Sequence, residues 1–367
     1  MMFHNVKKNF GFGCMRLPMK NGEVDHAQVC DMVDAFFAAG FNYFDTAHGY
    51  IGGKSEIAIR ECLAKRYPRE DYILVNKLSE PYFEKGEDIE PFLRSQLQAC
   101  GVEYFDFYLM HAQNANNYKK YKACNAYAIS NSMKEKGLIR HLGLSFHDSA
   151  EVLDMILSEN PEVEMVQLQF NYADYEDGGV QARACYEVCV KHGKPVVVME
   201  PVKGGRLVNL PAIARRMLDE IRTCSDAGYA IRFAASFDNI FMTLSGMSNM
   251  EQMQDNLSFM TDFAPLNETE MRTVLRIGDM LRSQDLIRCT DCRYCVDGCP
   301  QSIYIPALFA CVNDKRQNGA DVSAAYAAAT ESNGKASDCI ECGACEAMCP
   351  QKLPIRDLLK ATAAELE

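Results

Sequence analysis

Between residue 10 and about residue 262 the chain alternates short apolar runs with longer stretches of helical period. The apolar runs predict strands over Phe10–Leu17, Phe41–Asp45, Tyr72–Lys77, Phe105–His111, Ile139–Ser145, Met165–Leu168, Pro195–Met199 and Ile240–Ser245. The stretches between them place apolar residues three to four positions apart and predict helices. Among these are Asp25–Ala39, Ser55–Lys65, Ile89–Cys100, Asn125–Lys136, Ser149–Glu159 and Gln181–His192. Eight strands alternating with helices predict parallel βαβ units, and so an α/β fold of the (β/α)8 TIM-barrel type. No G-x-G-x-x-G follows the first strand, which weakens the doubly wound alternative.

The barrel pattern ends near Pro265. Asn267 and Glu270 have the spacing of a capping box, which predicts a connecting helix over Glu268–Arg282. The expected organisation is a barrel over 1–265, a connecting helix within 266–284 and a small α-rich domain over 285–367. The small domain holds two matching cysteine runs. The first is Cys289, Cys292, Cys295 and Cys299, followed by Pro300. The second is Cys339, Cys342, Cys345 and Cys349, followed by Pro350. Both read C-x2-C-x2-C-x3-C-P, a spacing that binds [4Fe–4S] clusters in bacterial ferredoxins. In two-cluster ferredoxins the fourth cysteine of each run ligates the other cluster. That implies Cys289, Cys292, Cys295 and Cys349 on one cluster, and Cys339, Cys342, Cys345 and Cys299 on the other. Structural zinc takes four ligands, commonly as two separated C-x2-C pairs, and a third cysteine at the same spacing does not fit it. The segment between the runs, Pro306–Ser337, carries an alanine-rich helical stretch, Val322–Thr330, expected to pack on the clusters or on the barrel.

Composition and charge narrow the picture further. An apolar fraction of 48% supports a substantial core. A net charge of −12 argues against nucleic acid, which requires a basic surface. No apolar run reaches the roughly eighteen residues of a membrane span. The N-terminal MMFHNVKKNFGFGCMRLP lacks the apolar core of a signal peptide, so a reducing, cytoplasmic setting is expected, with thiols and not disulfides. The cysteines outside the two runs then read as small buried hydrophobes.

Polar residues gather where the predicted strands end. Asp45 and Tyr50 follow the second strand, in FDTAHGY; Lys77 ends the third, in ILVNK; His111 ends the fourth, in FYLMH. Strand C-terminal ends form the active-site face of a (β/α)8 barrel. Singly, each residue has an ordinary structural reading; at the ends of consecutive strands they form a constellation. An ammonium beside a phenol favours the phenolate, so Lys77 is expected to lower the pKa of Tyr50. Asp45 would hold Lys77 charged, and His111 would orient a substrate oxygen. The sum is a proton donor at a carbonyl, suited to hydride addition. His147 is a further strand-end candidate, and His48 reads as loop packing or as lining of the substrate pocket. The long segment Gln113–Ala126 reads as a substrate lid.

These residues resemble the aldo-keto reductases, in the branch with a fused ferredoxin-like domain, over the whole chain. The most specific stretch is FFAAGFNYFDTAHGYIGGKSEIAI. The resemblance implies that Asp45, Tyr50, Lys77 and His111 match the family's catalytic tetrad. It also implies hydride transfer from NADPH or NADH to an aldehyde or ketone, with Tyr50 as general acid. Cofactor contacts carry over in part. Ser145 is kept, while Phe146 stands where Asn is common. Gln167, in VQLQFNY, matches the carboxamide-binding Gln. Met199, in VMEPVKGG, stands where a stacking Tyr is often found. Asp255 and Asn256, in SGMSNMEQMQDN, fit the adenine-contacting pair. Gln252 and Gly246 stand where Arg and Lys often grip the 2′-phosphate, and Lys203 or Arg206 are the candidates to compensate. The choice between NADPH and NADH therefore stays open.

The expected function is an oxidoreductase acting on a small carbonyl substrate, with two [4Fe–4S] clusters for electron transfer or partner docking. One tension follows: hydride transfer moves two electrons together, clusters pass them singly, and nothing in the sequence suggests a flavin between them. An alternative is a reductase whose barrel substrate receives electrons through the clusters from a ferredoxin or flavoprotein partner. A second alternative is a non-enzymatic electron-carrier subunit, against which the four strand-end residues argue.

Overall fold

The structure, a computed structural model, describes Phe3 and residues 5–367; of the N-terminal run read for a leader, residues 1, 2 and 4 lie outside the described residues. Eight parallel strands close into a barrel in chain order: Phe10–Gly13, Tyr43–Asp45, Ile73–Leu78, Phe105–Gln113, Ile139–Phe146, Met165–Gln169, Val196–Met199 and Ile240–Gly246. The strand period of two divides the side chains between two cores. Tyr43, Ile73, Val75, Phe107, Leu109, Met165, Val197, Met242 and Leu244 fill the interior. Their sequence neighbours Phe44, Leu74, Tyr108, Val166 and Val198 pack outward under the helices. The interior is tight: a Cβ on Gly11 would come within 2.7 Å of Leu244 and 2.9 Å of Tyr43.

The same period positions the mouth. Extending each interior row by two residues reaches Asp45 after Tyr43, Lys77 after Val75 and His111 after Leu109. It likewise reaches Ser145 after Gly143, Gln167 after Met165 and Met199 after Val197. Each is the next inward-facing position at a strand's C-terminal end.

Helices Ile89–Cys100 and Glu268–Arg282 span the expected residues, and the latter carries the Asn267–Glu270 capping box. The first strand is shorter than expected. It ends at Gly13, and Cys14–Arg16 is a 3-10 turn. A small hairpin follows, pairing Met19–Lys20 with Glu23–Val24 around left-handed Asn21 and Gly22. The helix after Tyr50 runs from Lys54 to Ile59 and then widens into a π-turn over Arg60–Ala64. The segment read as a lid, Gln113–Ala126, folds into the short helix Asn117–Ala123 and tucks down. Tyr118 and Tyr121 are buried, and Tyr121 Oη donates to the Leu78 carbonyl at 2.6 Å. Two apolar tyrosine rings one turn apart give this stretch a buried face that its Asn and Lys content hides.

The C-terminal domain has its own core, built from Ile287, Ile303, Ile305, Leu308, Phe309, Val312, Tyr326, Ile355 and Leu359. Its helices are Ile305–Asn318, Ser323–Thr330 and Ile355–Leu366. The alanine-rich helix packs on Ile305–Asn318, and it is the latter that faces both the barrel and the cysteine runs. The domain sits on the barrel mouth. Arg16 donates to the Thr290 and Asp291 carbonyls at 2.8 and 3.2 Å. Arg206 donates to the Ile287 carbonyl at 2.6 Å, and Gln169 and Gln351 exchange amide hydrogen bonds at 3.1 and 2.9 Å. Ion pairs Arg288–Asp177 and Lys352–Asp148 flank them. At Gly204, φ is +64° and a Cβ would lie 2.2 Å from the Thr290 carbonyl, so only glycine lets the cysteine loop approach this closely. Among the described residues no helix is long and apolar enough to cross a membrane.

Candidate active site and iron–sulfur centres

One cavity of about 330 Å³ opens at the barrel mouth. Asp45, Tyr50, Lys77, His111, Ser145, Gln167, Met199, Asp255 and Asn256 all line it. At its base Lys77 Nζ donates to Asp45 Oδ1 at 2.7 Å and to the Thr46 carbonyl at 2.8 Å. Burial pulls Lys77 below the ordinary lysine range and Asp45 above the ordinary carboxylate range, and their mutual attraction opposes both shifts. Lys77 Nζ lies 4.9 Å from the centre of the Tyr50 ring. His111 stands edge-on to that ring, with centroids 6.2 Å apart, and its Nδ1 is 2.6 Å from Ser79 Oγ.

The phenol of Tyr50 departs from the sequence expectation. Burial raises its pKa well above the ordinary value, and the neighbouring Asp45 carboxylate adds to the rise. Lys77 stands over the ring and spends its hydrogen bonds on Asp45 and Thr46, so it does not lower the phenol in this state. Tyr50 therefore keeps its proton in this state. His111 is held well below the ordinary histidine range by burial, and by Lys77 and His147, so its ring is neutral.

Farther along the cavity, Gln167 Oε1 is buried and accepts no hydrogen bond, leaving an acceptor free for an amide donor. Ser145 Oγ accepts from the Ala112 N–H at 2.8 Å. Asn256 Nδ2 donates to Ser245 Oγ at 2.9 Å, and Asp255 accepts from Ser225 Oγ at 2.7 Å. Gln252 lines the cavity and caps the Ser248 N–H at 2.7 Å. Lys203 and Arg206, the candidate compensating cations, do not line this cavity. They face a separate cleft of about 390 Å³ between barrel and C-terminal domain, with Lys203 paired to buried Asp174. The lid reading of Gln113–Ala126 also falls away, because none of its residues lines the cavity. His147 does line it, with a pKa lowered to about 4 by burial. His48 pairs with Glu56 at 2.8 Å and packs on Tyr82 and Phe92.

Among the cavity residues that escaped the sequence reading are Glu200, Arg16 and Tyr294, and Cys292, read there only as a cluster ligand, lines the cavity too. Glu200 follows Met199, takes a left-handed φ of +54°, and keeps Oε2 buried with no partner. Burial, reinforced by Asp174, pushes its carboxyl up to about 7. Arg16 belongs to the 3-10 turn after the first strand. Cys292 and Tyr294 come from the C-terminal domain and form part of the cavity wall. Glu200 and Arg16 have a legible signal, being polar residues just past strand ends. Tyr294 has none, since nothing in its sequence context says where its domain docks.

The cysteines form two groups. Cys289, Cys292, Cys295 and Cys349 surround one pocket with Ile305, Phe309 and Leu353. Cys299, Cys339, Cys342 and Cys345 surround a second with Ile303, Ile305 and Leu359. Among the described residues no three His, Cys, Asp or Glu side chains converge on a point for a single ion. Sulfurs spread around a void suit the corners of a cubane cluster, whereas zinc draws its ligands onto one centre. Burial pushes Cys289 up to about 11 and Cys292 up to about 12, so iron must displace a proton from each. No cysteine is in a disulfide.

Comparison with known proteins agrees with this geometry. The aldo/keto reductase family model matches residues 9–279, and a 4Fe-4S dicluster domain matches residues 288–354. The NADH-specific methylglyoxal reductase of Escherichia coli K12 is 25% identical over 207 residues, 52% of this chain and 61% of that protein. The chain thus spans less than two thirds of that relative's length. An aldo-keto reductase of Mycolicibacterium vanbaalenii is 28% identical over 245 residues, 64% of this chain and 79% of that protein. In fold, the chain is similar to an aldo-keto reductase of Bacillus halodurans in its holo form: TM-score 0.61, 20% identity, 74% of this chain and 92% of that one. It is also similar to one of Klebsiella pneumoniae in complex with NADPH: TM-score 0.60, 17% identity, 74% and 95%. With the family match covering the whole barrel and the second match covering both cysteine runs, the chain belongs to the aldo/keto reductase family and carries a 4Fe–4S dicluster domain.

Proposed function

We propose that the chain reduces an aldehyde or ketone with a nicotinamide dinucleotide bound along the barrel-mouth cavity. The observation that carries this reading is the convergence of Asp45, Tyr50, Lys77 and His111 with Gln167, Met199, Asp255 and Asn256 on one cavity. The division of labour is a barrel over 1–265, a connecting segment over 266–284 and an iron–sulfur unit over 285–367. Gln167 Oε1 would receive the carboxamide, Ser145 and Met199 would border the ring, and Asp255 with Asn256 would hold the adenine end. A bound dihydronicotinamide supplies a hydride. Everything else falls to the protein. Neutral His111, in the tautomer whose Nδ1 accepts from the Ser79 hydroxyl, has Nε2–H to donate to the carbonyl oxygen. Tyr50 Oη gives that oxygen its proton as the carbon is reduced. Lys77 then meets the charge left on the phenolate, and Asp45 holds Lys77 in place. Gln252 and Gly246 offer no cation to a 2′-phosphate, and Asp255 repels one, so NADH is preferred over NADPH. Cys289, Cys292, Cys295 and Cys349 hold one cluster; Cys339, Cys342, Cys345 and Cys299 hold the other. Free thiols throughout suit a reducing cytoplasm.

The test is isotopic. With NADH deuterated at C4 of the reactive face, anaerobic protein is expected to deliver deuterium to the carbinol carbon of the product. An alcohol free of label rejects hydride transfer.

A further inference from the structure

The barrel does not close its own cavity. Cys292, Tyr294 and Pro350, all from the dicluster domain, form wall opposite the strand ends that carry Lys77 and His111. Cys292 has a second face. It lines the pocket it shares with Cys289, Cys295 and Cys349. One sulfur-bearing residue therefore borders both the barrel cavity and the first cluster site, with no layer of protein between them. Ile305 in turn lines both cluster pockets. The second pocket ends in solvent, where Cys342 is exposed and neighbouring Ile340 is 59% exposed. The order from inside outward is cavity, Cys292, first cluster site, Ile305, second cluster site, Cys342, solvent.

A cluster serving only to staple a domain has no need to border a cavity. This arrangement instead runs a line of redox sites from the surface to the wall of a carbonyl cavity. Tyr50 and Tyr294 are the aromatic rings that line this cavity, one from each domain.

We infer that the first cluster delivers electrons, across Cys292 and Tyr294, to a carbonyl compound held at Tyr50, giving the barrel a second activity that needs no nicotinamide. The inference rests on the reading that this cavity binds carbonyl compounds, but not on hydride transfer there. Each reduced cluster gives up one electron, so the two clusters together hold the pair one carbonyl requires: a carbonyl group, two electrons and two protons give one alcohol. The first electron breaks the C=O π bond, and the oxygen takes the proton of Tyr50 Oη. The second electron and a proton from water complete the C–H bond, and Tyr50 is reprotonated from solvent. The reductant is a one-electron carrier protein that meets the second cluster at the Cys342–Ile340 edge. A single-electron step passes through a ketyl, so the substrate class is a carbonyl conjugated to an aromatic ring or a C=C bond. An isolated aliphatic carbonyl is excluded because its ketyl has no such delocalisation.

The test uses holoprotein reduced with dithionite, freed of excess reductant and mixed with acetophenone in the absence of nicotinamide. The bleached cluster absorbance is expected to recover and the EPR signal of the reduced clusters to vanish, with one alcohol formed per pair of clusters oxidised. Cyclohexanone is expected to leave both signals in place. Tyr294→Leu should slow the recovery by about tenfold, and Tyr294→Phe, which keeps the ring, should restore it; iron content and the EPR spectrum of the reduced variants verify that the clusters are loaded. Recovery at one common rate in all three proteins would place the reaction at the exposed cluster edge and overturn the inference. Clusters that stay reduced, in protein that reduces acetophenone with NADH, overturn it and leave the hydride reading standing. Protein that turns over no carbonyl by either route overturns both.

Discussion

Tyr50 is decided by a competition between desolvation and a nearby cation. Read from the sequence, Lys77 at the end of the next strand should lower the phenol. In the fold, burial and the neighbouring Asp45 prevail, because the ammonium stands 4.9 Å over the ring and is bonded elsewhere. Sequence spacing locates the two residues but carries no information on solvent access. A phenol that keeps its proton is compatible with the proposed acid role, since a donor must hold its proton before transfer. Tyr50→Phe is expected to lower carbonyl reduction by about 100- to 10,000-fold with cluster absorbance unchanged; steady-state kinetics beside an absorbance spectrum check it. Glu200 follows the same physics: its place just past a strand end is legible in the sequence, but its burial is not. Its folded carboxyl sits at about 7 against 4.5 unperturbed, so the folded state holds this proton more tightly than the unfolded chain. The stability it contributes is full below about pH 4.5 and is lost as pH rises through about 7. Above that, a buried charge costs at most about 3 kcal/mol. Glu200→Gln should therefore raise the melting temperature of the holoprotein at pH 8 and leave it nearly unchanged at pH 5. A gain of equal size at both values would contradict the assignment.

Among the elements, the strands were the most legible part of the chain. Alternation within ILVNK and FYLMH already says that Lys77 and His111 face the same way as Val75 and Leu109, and barrel closure turns that direction into a cavity. The Asn267–Glu270 cap was equally plain, because a capping box is a local signal. What failed was Gln113–Ala126, whose two buried tyrosines acquire their meaning only from contacts with distant strands. The Lys77–Asp45 pair shows how strand ends depend on each other. Lys77→Met leaves Asp45 buried without a partner and should cost about 3–5 kcal/mol, while Lys77→Met combined with Asp45→Asn should recover most of that loss and none of the activity. Thermal denaturation of the three proteins measures both. The cysteine runs make a sharper prediction. The pockets group Cys349 with Cys289, Cys292 and Cys295, as the spacing alone anticipates. Cys349→Ser should remove about half of the iron, and adding Cys292→Ser should remove no more. If each run held its own cluster, the double variant would lose all of it.

On the scale of the whole molecule, the dicluster domain is the roof of the barrel site. Arg16, Arg206 and the Gln169–Gln351 pair fasten it there, and Gly204 allows the cysteine loop to meet the barrel turn. None of this docking is legible in the sequence. The two domains carry independent local signals, and the residues that join them are ordinary arginines and glutamines, informative only once both folds are in place. The consequence is that the cavity at Tyr50 is shared property: the barrel supplies Tyr50 and the unpartnered Gln167 acceptor, and the appended domain supplies Cys292 and Tyr294.

The central claim is that this shared cavity holds a nicotinamide dinucleotide. The chain has no tryptophan, so protein emission leaves the nicotinamide signal clear. Titration of anaerobically purified holoprotein with NADH and with NADPH, followed by nicotinamide fluorescence, tests the claim most directly. Saturable one-to-one binding is expected, tighter for NADH, and weakened in Gln167→Ala, which removes the free buried acceptor. Binding of neither nucleotide would contradict it.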